Sequence, residues 1–301
     1  FESSFREAVR LSVNFTEFSF WWTVICIGLP LLCVRWGVRR TGWWSRRWDQ
    51  ATLLVLSLAL FYNASPPSLV ILLVEIGLNF LALRVLPRVG PQGRLALVVT
   101  VATLDLAALA YFKYLEFFLG DFLQFLTLGE LSLAYDTVLP GVSAIPPGIS
   151  FYTFQMVAML VDTYRDPKAG KGSVIDYANF AAFFPQIVAG PIERRSHLLP
   201  QMQHFHFRFV PQWIENGFRW VVLGLFLKLV LANNLADHIR FEETANPFGI
   251  LTATYLFGLR IYFDFAGYSL IALGLAKMLG IRLSLNFRAP YAARSLREFW
   301  H

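Results

Sequence analysis

Arg260 and Asp264 stand four residues apart in an apolar, aromatic run, RIYFDFAGYS. On a helix that spacing puts both side chains on one face, within pairing reach. Charge in such surroundings is costly, so the pair either neutralises itself to hold helices together or lines a site. Two more ionisable residues, Asp105 and Lys228, lie inside apolar segments. Lys228 either snorkels to an interface or faces a cavity. His204 and His206 form an H-x-H pair, but no cysteine and no nearby acid completes a zinc set. Ordinary polar surface is therefore the expectation for Glu193–Asn216, and no metal is assigned. Cys26 and Cys33 lie in one apolar segment and read as packing residues rather than a disulfide.

The elements that must position these groups are membrane helices. The chain has 301 residues, is 56% apolar and 16% aromatic, and is only 15% charged. Soluble domains carry nearer a quarter charged residues. Apolar runs of spanning length recur, which outweighs any estimate of domain count from length. The net charge of +6 sits largely as arginine in short loops beside apolar runs, the positive-inside pattern. It needs no nucleic-acid partner to explain it.

Taken in order, Phe1–Glu17 reads as an amphipathic interfacial stretch without signal-peptide features. Phe18–Val34 is the first span, and an Arg- and Trp-rich loop follows to Trp48. Ala51–Tyr62, broken at Ser65-Pro66-Pro67, pairs with Leu69–Leu86, and Leu95–Phe112 crosses outward with Asp105. Leu115–Leu128 is too short to span and reads as interfacial or re-entrant. Pro146-Pro147-Gly148 opens the span Ile149–Tyr164. Asp176–Ile192 is interrupted by Pro185 and closed by Gly190-Pro191, the pattern of a broken, re-entrant element buried in protein or lining a cavity. Gly217–Ala236 crosses with Lys228, and Asp237–Pro247 is an outer loop. Phe248–Asp264 and Gly267–Ile281 then pose a conflict. As two full spans they would leave Arg282, Arg288, Arg294 and Arg297 outside, so one of them is expected to return or lie along the interface.

These pieces, kept in order, resemble the membrane-bound O-acyltransferases, and within them the bacterial branch that O-acetylates exported polysaccharides. The matching stretches are Tyr111–Tyr114, Pro147–Gln155, Val161–Arg165, Phe183–Ile192, Gly224–Lys228, Tyr262–Ser269, Asn286-Phe287, Pro290-Tyr291 and Arg294–Trp300. Leu270 stands where that branch commonly has aspartate, and Arg260 where an uncharged residue is usual. The resemblance implies an all-α, polytopic transmembrane bundle with re-entrant or broken helices around a central cavity. It also implies one membrane domain over residues 1–301, trimmed at both ends, in the bacterial inner (cytoplasmic) membrane.

The implied reaction is acyl transfer from a thioester to a sugar hydroxyl, for which a histidine near neutral pKa is a suitable base. The donor would be cytoplasmic acetyl-CoA, used as a substrate with no bound cofactor. The acceptor would be an exported polysaccharide, with a periplasmic or surface acetyltransferase as partner. Residues assigned to the cavity are Pro185, Gln186, Gly190, Pro191, Lys228, Arg260, Asp264, Tyr268, Asn286, Arg297 and Trp300. The catalytic assignment falls on His301, with the family histidine expected just beyond it. D-alanyl transfer for teichoic acid from a carrier-protein thioester is the alternative within the family. A transporter or channel is disfavoured because no inverted repeat and no regular register of charges recurs. A non-catalytic scaffold is the remaining reading.

Overall fold

The computed structural model describes residues 15, 17–37, 43–116, 145–166, 172–187, 190–239, 246–287 and 289–299. Nearly all of the Phe1–Glu17 stretch, the interfacial segment beyond Glu116, Trp300 and His301 lie outside the described residues. Among the described residues all regular structure is helical. Phe18–Thr23, a π-helical turn Val24–Gly28 and Leu29–Gly37 follow one another as α1. Then come α2 (Trp43–Ala64), α3 (Pro66–Val85), α4 (Pro91–Glu116), α5 (Ile149–Arg165), α6 (Val174–Ala182) and α7 (Arg195–Gln203). Next, α8 (Pro211–Leu225) continues through a π-helical stretch, Phe226–Ala232, into Asn233–Ala236. The last elements are α9 (Pro247–Met278) and the short α10 (Leu296–Phe299).

Proline sets several of these starts. Pro66, Pro91, Pro211 and Pro247 each occupy the beginning of a helix, where a missing N–H costs nothing and φ is already helical. Four helices, Pro66–Arg88, Pro91–Leu115, Pro211–Ala236 and Pro247–Met278, are long and apolar enough to cross a membrane. Their outer faces are apolar: Val70, Val74 and Leu81 on α3, Leu95 and Val99 on α4, and Phe218 on α8 are all exposed. Such surface is unfavourable against water and suits lipid. Cys26 and Cys33 are likewise exposed and unpaired, so they do not pack inside the first span as expected.

Two sequence boundaries move. Trp43–Trp48, read as loop, is the first turn and a half of α2. More consequentially, α9 is one unbroken helix of 32 residues, where two separate segments were expected. At 1.5 Å per residue it is about 48 Å long, more than the roughly 30 Å of a hydrocarbon core. One crossing replaces two, so neither segment has to turn back, and the positive-inside conflict disappears.

The chain divides into two compact units. One comprises Phe1–Val188 with Arg194–His206; the other comprises Ala189–Glu193 with Phe207–His301. In the first, α4 lies along α5, α6 packs on α2 and α7, and Leu72, Met156, Leu160, Phe180 and Phe183 form its fully enclosed core. The second is dominated by the pairing of α8 with α9.

Candidate functional site

In the second unit, glycine determines how closely α8 and α9 approach. Gly217 and Gly224 lie seven residues apart on α8, and Gly267 and Gly274 are spaced the same way on α9. A Cβ on Gly224 would meet the Gly267 carbonyl oxygen at 2.5 Å, and one on Gly217 would meet that of Gly274 at 2.5 Å. Nothing but hydrogen fits at these crossings. The backbones therefore touch, as at the small-residue interfaces of membrane helices.

That contact carries the charges. Lys228 lies one turn beyond Gly224, and its Nζ donates to Asp264 Oδ1 at 2.6 Å. The same ammonium sits 4.9 Å from the centroid of the Tyr268 ring, a cation–π placement. Three residues assigned from sequence thus form one cluster. Arg260 is not part of it: Lys228 takes the carboxylate that the four-residue spacing offered to Arg260, and no ion pair to Arg260 forms among the described residues. Lys228 does not snorkel, since its side chain is 11% exposed against 32% for Asp264. The cation is the sheltered member, and the carboxylate is the open one.

The segment after α9 folds back along it. Gly280, at φ +79°, makes the turn, and Trp213 lies so close that a Cβ there would be 2.5 Å from its ring. Ser284 donates its backbone N–H to Glu193 Oε1 at 2.5 Å and its hydroxyl to Oε2 at 3.2 Å. Glu193 is buried, not the polar surface expected for Glu193–Asn216. Gly190 and Pro191, just before it, are buried as well. Tyr262 meets Phe287 and Tyr291 edge-on, at 6.0 and 5.5 Å between centroids, and the Tyr291 hydroxyl donates to the Gly258 carbonyl. Asn286 and Arg297 are exposed.

Pro185 and Gln186 belong to the first unit. The nine-residue α6 starts on a capping box, Ser173 with Asp176, and stops at Ala182 before a turn through Ile187. It is far too short to cross a membrane, in keeping with the broken element expected there. Gln186 is buried and exchanges amide hydrogen bonds with Gln155, which also donates to the Phe180 carbonyl at 2.7 Å.

Sequence reasoning missed a polar knot in this unit. Gln50 Nε2 donates to Asp176 Oδ1 and to the carbonyls of Met202 and Gln203. Arg47 reaches Ser173 Oγ at 2.7 Å. Asn179 donates to the Gln50 carbonyl. The H-x-H pair splits: His206 Nδ1 lies 2.6 Å from Asp49 Oδ2, whereas His204 Nδ1 donates to the Pro200 carbonyl. Among the described residues no three His, Cys, Asp or Glu side chains gather as a metal site. A groove of about 360 Å³ beside Thr23, Leu58, Tyr62 and Asn63 is mostly apolar and holds no charge.

Apolar helices with lipid-suited faces, a broken buried element and an ion pair inside a helix contact define a multi-pass membrane protein built around internal charge. The chain belongs to the membrane-bound O-acyltransferase family (MBOAT), whose sequence profile matches residues 12–301. It is 34% identical over 200 residues to a probable alginate O-acetylase AlgI of Pseudomonas aeruginosa, covering 65% of this chain and 37% of that protein. It is 30% identical over 226 residues to a peptidoglycan O-acetyltransferase of Helicobacter pylori, covering 65% of this chain and 41% of that protein. Over 163 residues it is 30% identical to a teichoic acid D-alanyltransferase of Streptococcus thermophilus, covering 51% and 39% respectively. The chain thus spans about two fifths of the length of these relatives.

Proposed function

We propose that this chain is part of an O-acetyltransferase of a bacterial inner membrane, moving acetyl from cytoplasmic acetyl-CoA toward hydroxyls of an exported polysaccharide. The observation that carries the reading is family membership together with relatives whose names specify O-acetylation. The chemistry requires the acceptor hydroxyl to lose its proton as it attacks the thioester carbonyl, with the thiol of coenzyme A leaving. Asp264, the open member of its ion pair, has one carboxylate oxygen, Oδ2, outside the bond to Lys228. It is suited to accept a hydrogen bond from a hydroxyl brought to the helix pair. Lys228 and Tyr268 fix that carboxylate, which makes them positioning residues. Passing the group outward calls for a periplasmic or surface acetyltransferase as partner.

The test is transfer from radiolabelled acetyl-CoA in membranes of cells expressing the gene for this chain. Label on polysaccharide or protein that falls at least tenfold in Asp264→Asn supports the reading. Absence of label from acetyl-CoA, with transfer from a D-alanyl carrier-protein thioester, would move the assignment to D-alanyl transfer, which the Streptococcus thermophilus relative makes the second reading. Equal labelling by Asp264→Asn would remove Asp264 from the site.

A further inference from the structure

A second charged group lies within the first unit, apart from the Lys228–Asp264 pair in sequence and in composition. Glu75 and Asn79 stand one turn apart on α3, Asp105 is on α4, and Tyr152 and Thr153 open α5. All five side chains are at least nine-tenths buried: Glu75 is 4% exposed, Asn79, Asp105 and Tyr152 are 1%, and Thr153 is 0%. Asn79 Nδ2 donates to both oxygens of Asp105, at 3.2 and 2.9 Å, and also to the Glu75 carbonyl. Thr153 Oγ1 donates to Glu75 Oε2 at 3.1 Å.

Two features of this arrangement do not close. Two carboxyl groups are buried inside apolar helices with no cation in ion-pair contact among the described residues. A pair of buried like charges without a counter-charge is far too costly to persist. Three polar atoms also have no partner: Glu75 Oε1, Asn79 Oδ1 and the Tyr152 hydroxyl. Tyr152 immediately precedes Thr153, the residue that donates to Glu75. Two acceptors and one hydroxyl are therefore left unmatched beside a surplus negative charge.

A metal cation answers this poorly. Asp105 already spends both oxygens on Asn79, and Glu75 spends one on Thr153, which leaves three oxygens where hard cations take about six. A proton answers it directly. On Glu75 Oε1 it removes one charge and converts an acceptor without a partner into a donor, in a cluster whose other unmatched atoms, an amide oxygen and a phenol oxygen, can both accept.

We propose that Glu75, Asn79, Asp105 and Tyr152 form a buried proton-binding site, with the exchangeable proton carried by the Glu75 carboxyl. Asp105, from α4, is the neighbouring charge that holds it, and Tyr152, from α5, adds an unmatched hydroxyl to the same buried cluster. From α6 the titratable groups are Tyr177 and Asp176, which engage the Arg47, Gln50 and Gly172 end of the unit. The only other charged residue of α3 is Arg84, more than two turns along and stacked on Phe80. From α2, the nearby aromatic neighbour of Tyr152 is Phe61. None of these supplies a cation to Glu75.

The test is infrared difference spectroscopy on the purified full-length protein in detergent, reading the C=O stretch of protonated carboxyls. The expected result is such a band at pH 7 that shifts in D2O, titrates away at alkaline pH, disappears in Glu75→Gln and survives in Asp105→Asn with its titration moved to lower pH. Tyr152→Phe should change the band's frequency without removing it. Absence of the band from the wild-type protein, or its persistence in Glu75→Gln, overturns the proposal. So does its loss on adding sodium at constant pH, which would make the site a cation site. The wild-type titration and Tyr152→Phe keep the test open if Glu75→Gln does not fold. Neither depends on acyl-transfer activity, so the outcome is separate from that of the proposed function.

Discussion

Gly224 and Gly267 touch backbone to backbone: a Cβ on the first would lie 2.5 Å from the carbonyl oxygen of the second, and the reverse placement gives 2.8 Å. The contact is reciprocal, and it sits one turn from Lys228 and less than one turn from Asp264. Ion-pair geometry and helix spacing are therefore one property of the α8–α9 contact.

Gly224→Ala should destabilise the protein by about 1–3 kcal/mol, the usual range for overpacking where backbone must move. Ile271 Cγ1, at 2.7 Å from the added carbon, blocks the other direction. Gly77→Ala on α3 is the control, because nothing lies within 4 Å of its added carbon. There the gain in helix propensity should leave stability unchanged or raise it by about 0.5–1 kcal/mol. Thermal unfolding in detergent reads both. A Gly224→Ala protein as stable as Gly77→Ala would mean the helices do not touch here.

Removing one member of the Lys228–Asp264 pair should cost more than removing both. Breaking a fully buried pair costs about 3–5 kcal/mol, because a charge is left without compensation. Asp264 keeps a third of its side chain exposed, so Lys228→Met should cost less, about 1–3 kcal/mol. The double variant Lys228→Met/Asp264→Leu should recover most of that loss in stability while losing acetyl transfer. A double variant that is worse than either single one would show that the pair stabilises beyond mutual neutralisation.

Much of the fold was readable in the sequence because apolar run length and helix-starting prolines both report on single helices. What was hidden lay between helices. Asp264 followed by Gly267 looked like a break, since charge and glycine in an apolar run ordinarily interrupt it. In the structure each has its partner on α8: Gly224 fills the space beside Gly267, and Lys228 neutralises Asp264. The signal available was the matched seven-residue spacing of Gly217 with Gly224 and of Gly267 with Gly274. Likewise, Arg260 was the closest cation to Asp264 along the chain, yet the partner came from 36 residues away. Glu75 drew no notice because one acid in a 20-residue helix does not disturb the apolar pattern. Its significance comes only from Asp105 and Tyr152 on other helices.

Glu193 should prove a structural residue. Its carboxylate receives both the backbone N–H and the hydroxyl of Ser284, and a hydrogen bond to a charged group is worth about 1.5–3 kcal/mol. Glu193→Ala should lose that amount and open the segment from Leu283 to Asn286 to limited proteolysis. Ser284→Ala keeps the backbone bond and should lose only about 0.5–1.5 kcal/mol. Equal protease resistance in Glu193→Ala and the wild type would remove Glu193 from this role.

Gln50 offers the sharpest test of the polar knot in the first unit. Its one amide nitrogen serves Asp176 Oδ1 at 3.0 Å, the Met202 carbonyl at 2.7 Å and the Gln203 carbonyl at 3.0 Å. Every partner of this nitrogen is an acceptor, while Arg47 donates to Oε1 at 3.4 Å on the other side of the amide, so the nitrogen side demands a donor. Gln50→Leu keeps similar bulk but strands these acceptors and should cost about 1–3 kcal/mol. Gln50→Glu should be worse at neutral pH, because the oxygen that replaces Nε2 faces Asp176 and two carbonyl oxygens, and Arg47, already shared with Asp176 at 3.8 Å, offsets this only in part. Acidification should restore part of its stability, since the introduced carboxyl, once protonated, regains one donor and loses its charge. Stability is thus gained as pH falls, the opposite of what loss of a carboxylate salt bridge would give. Unfolding of the Gln50→Glu protein followed from pH 7 to pH 4 decides it: a loss of stability across that range, relative to wild type, would mean that Gln50 does not face the three acceptors.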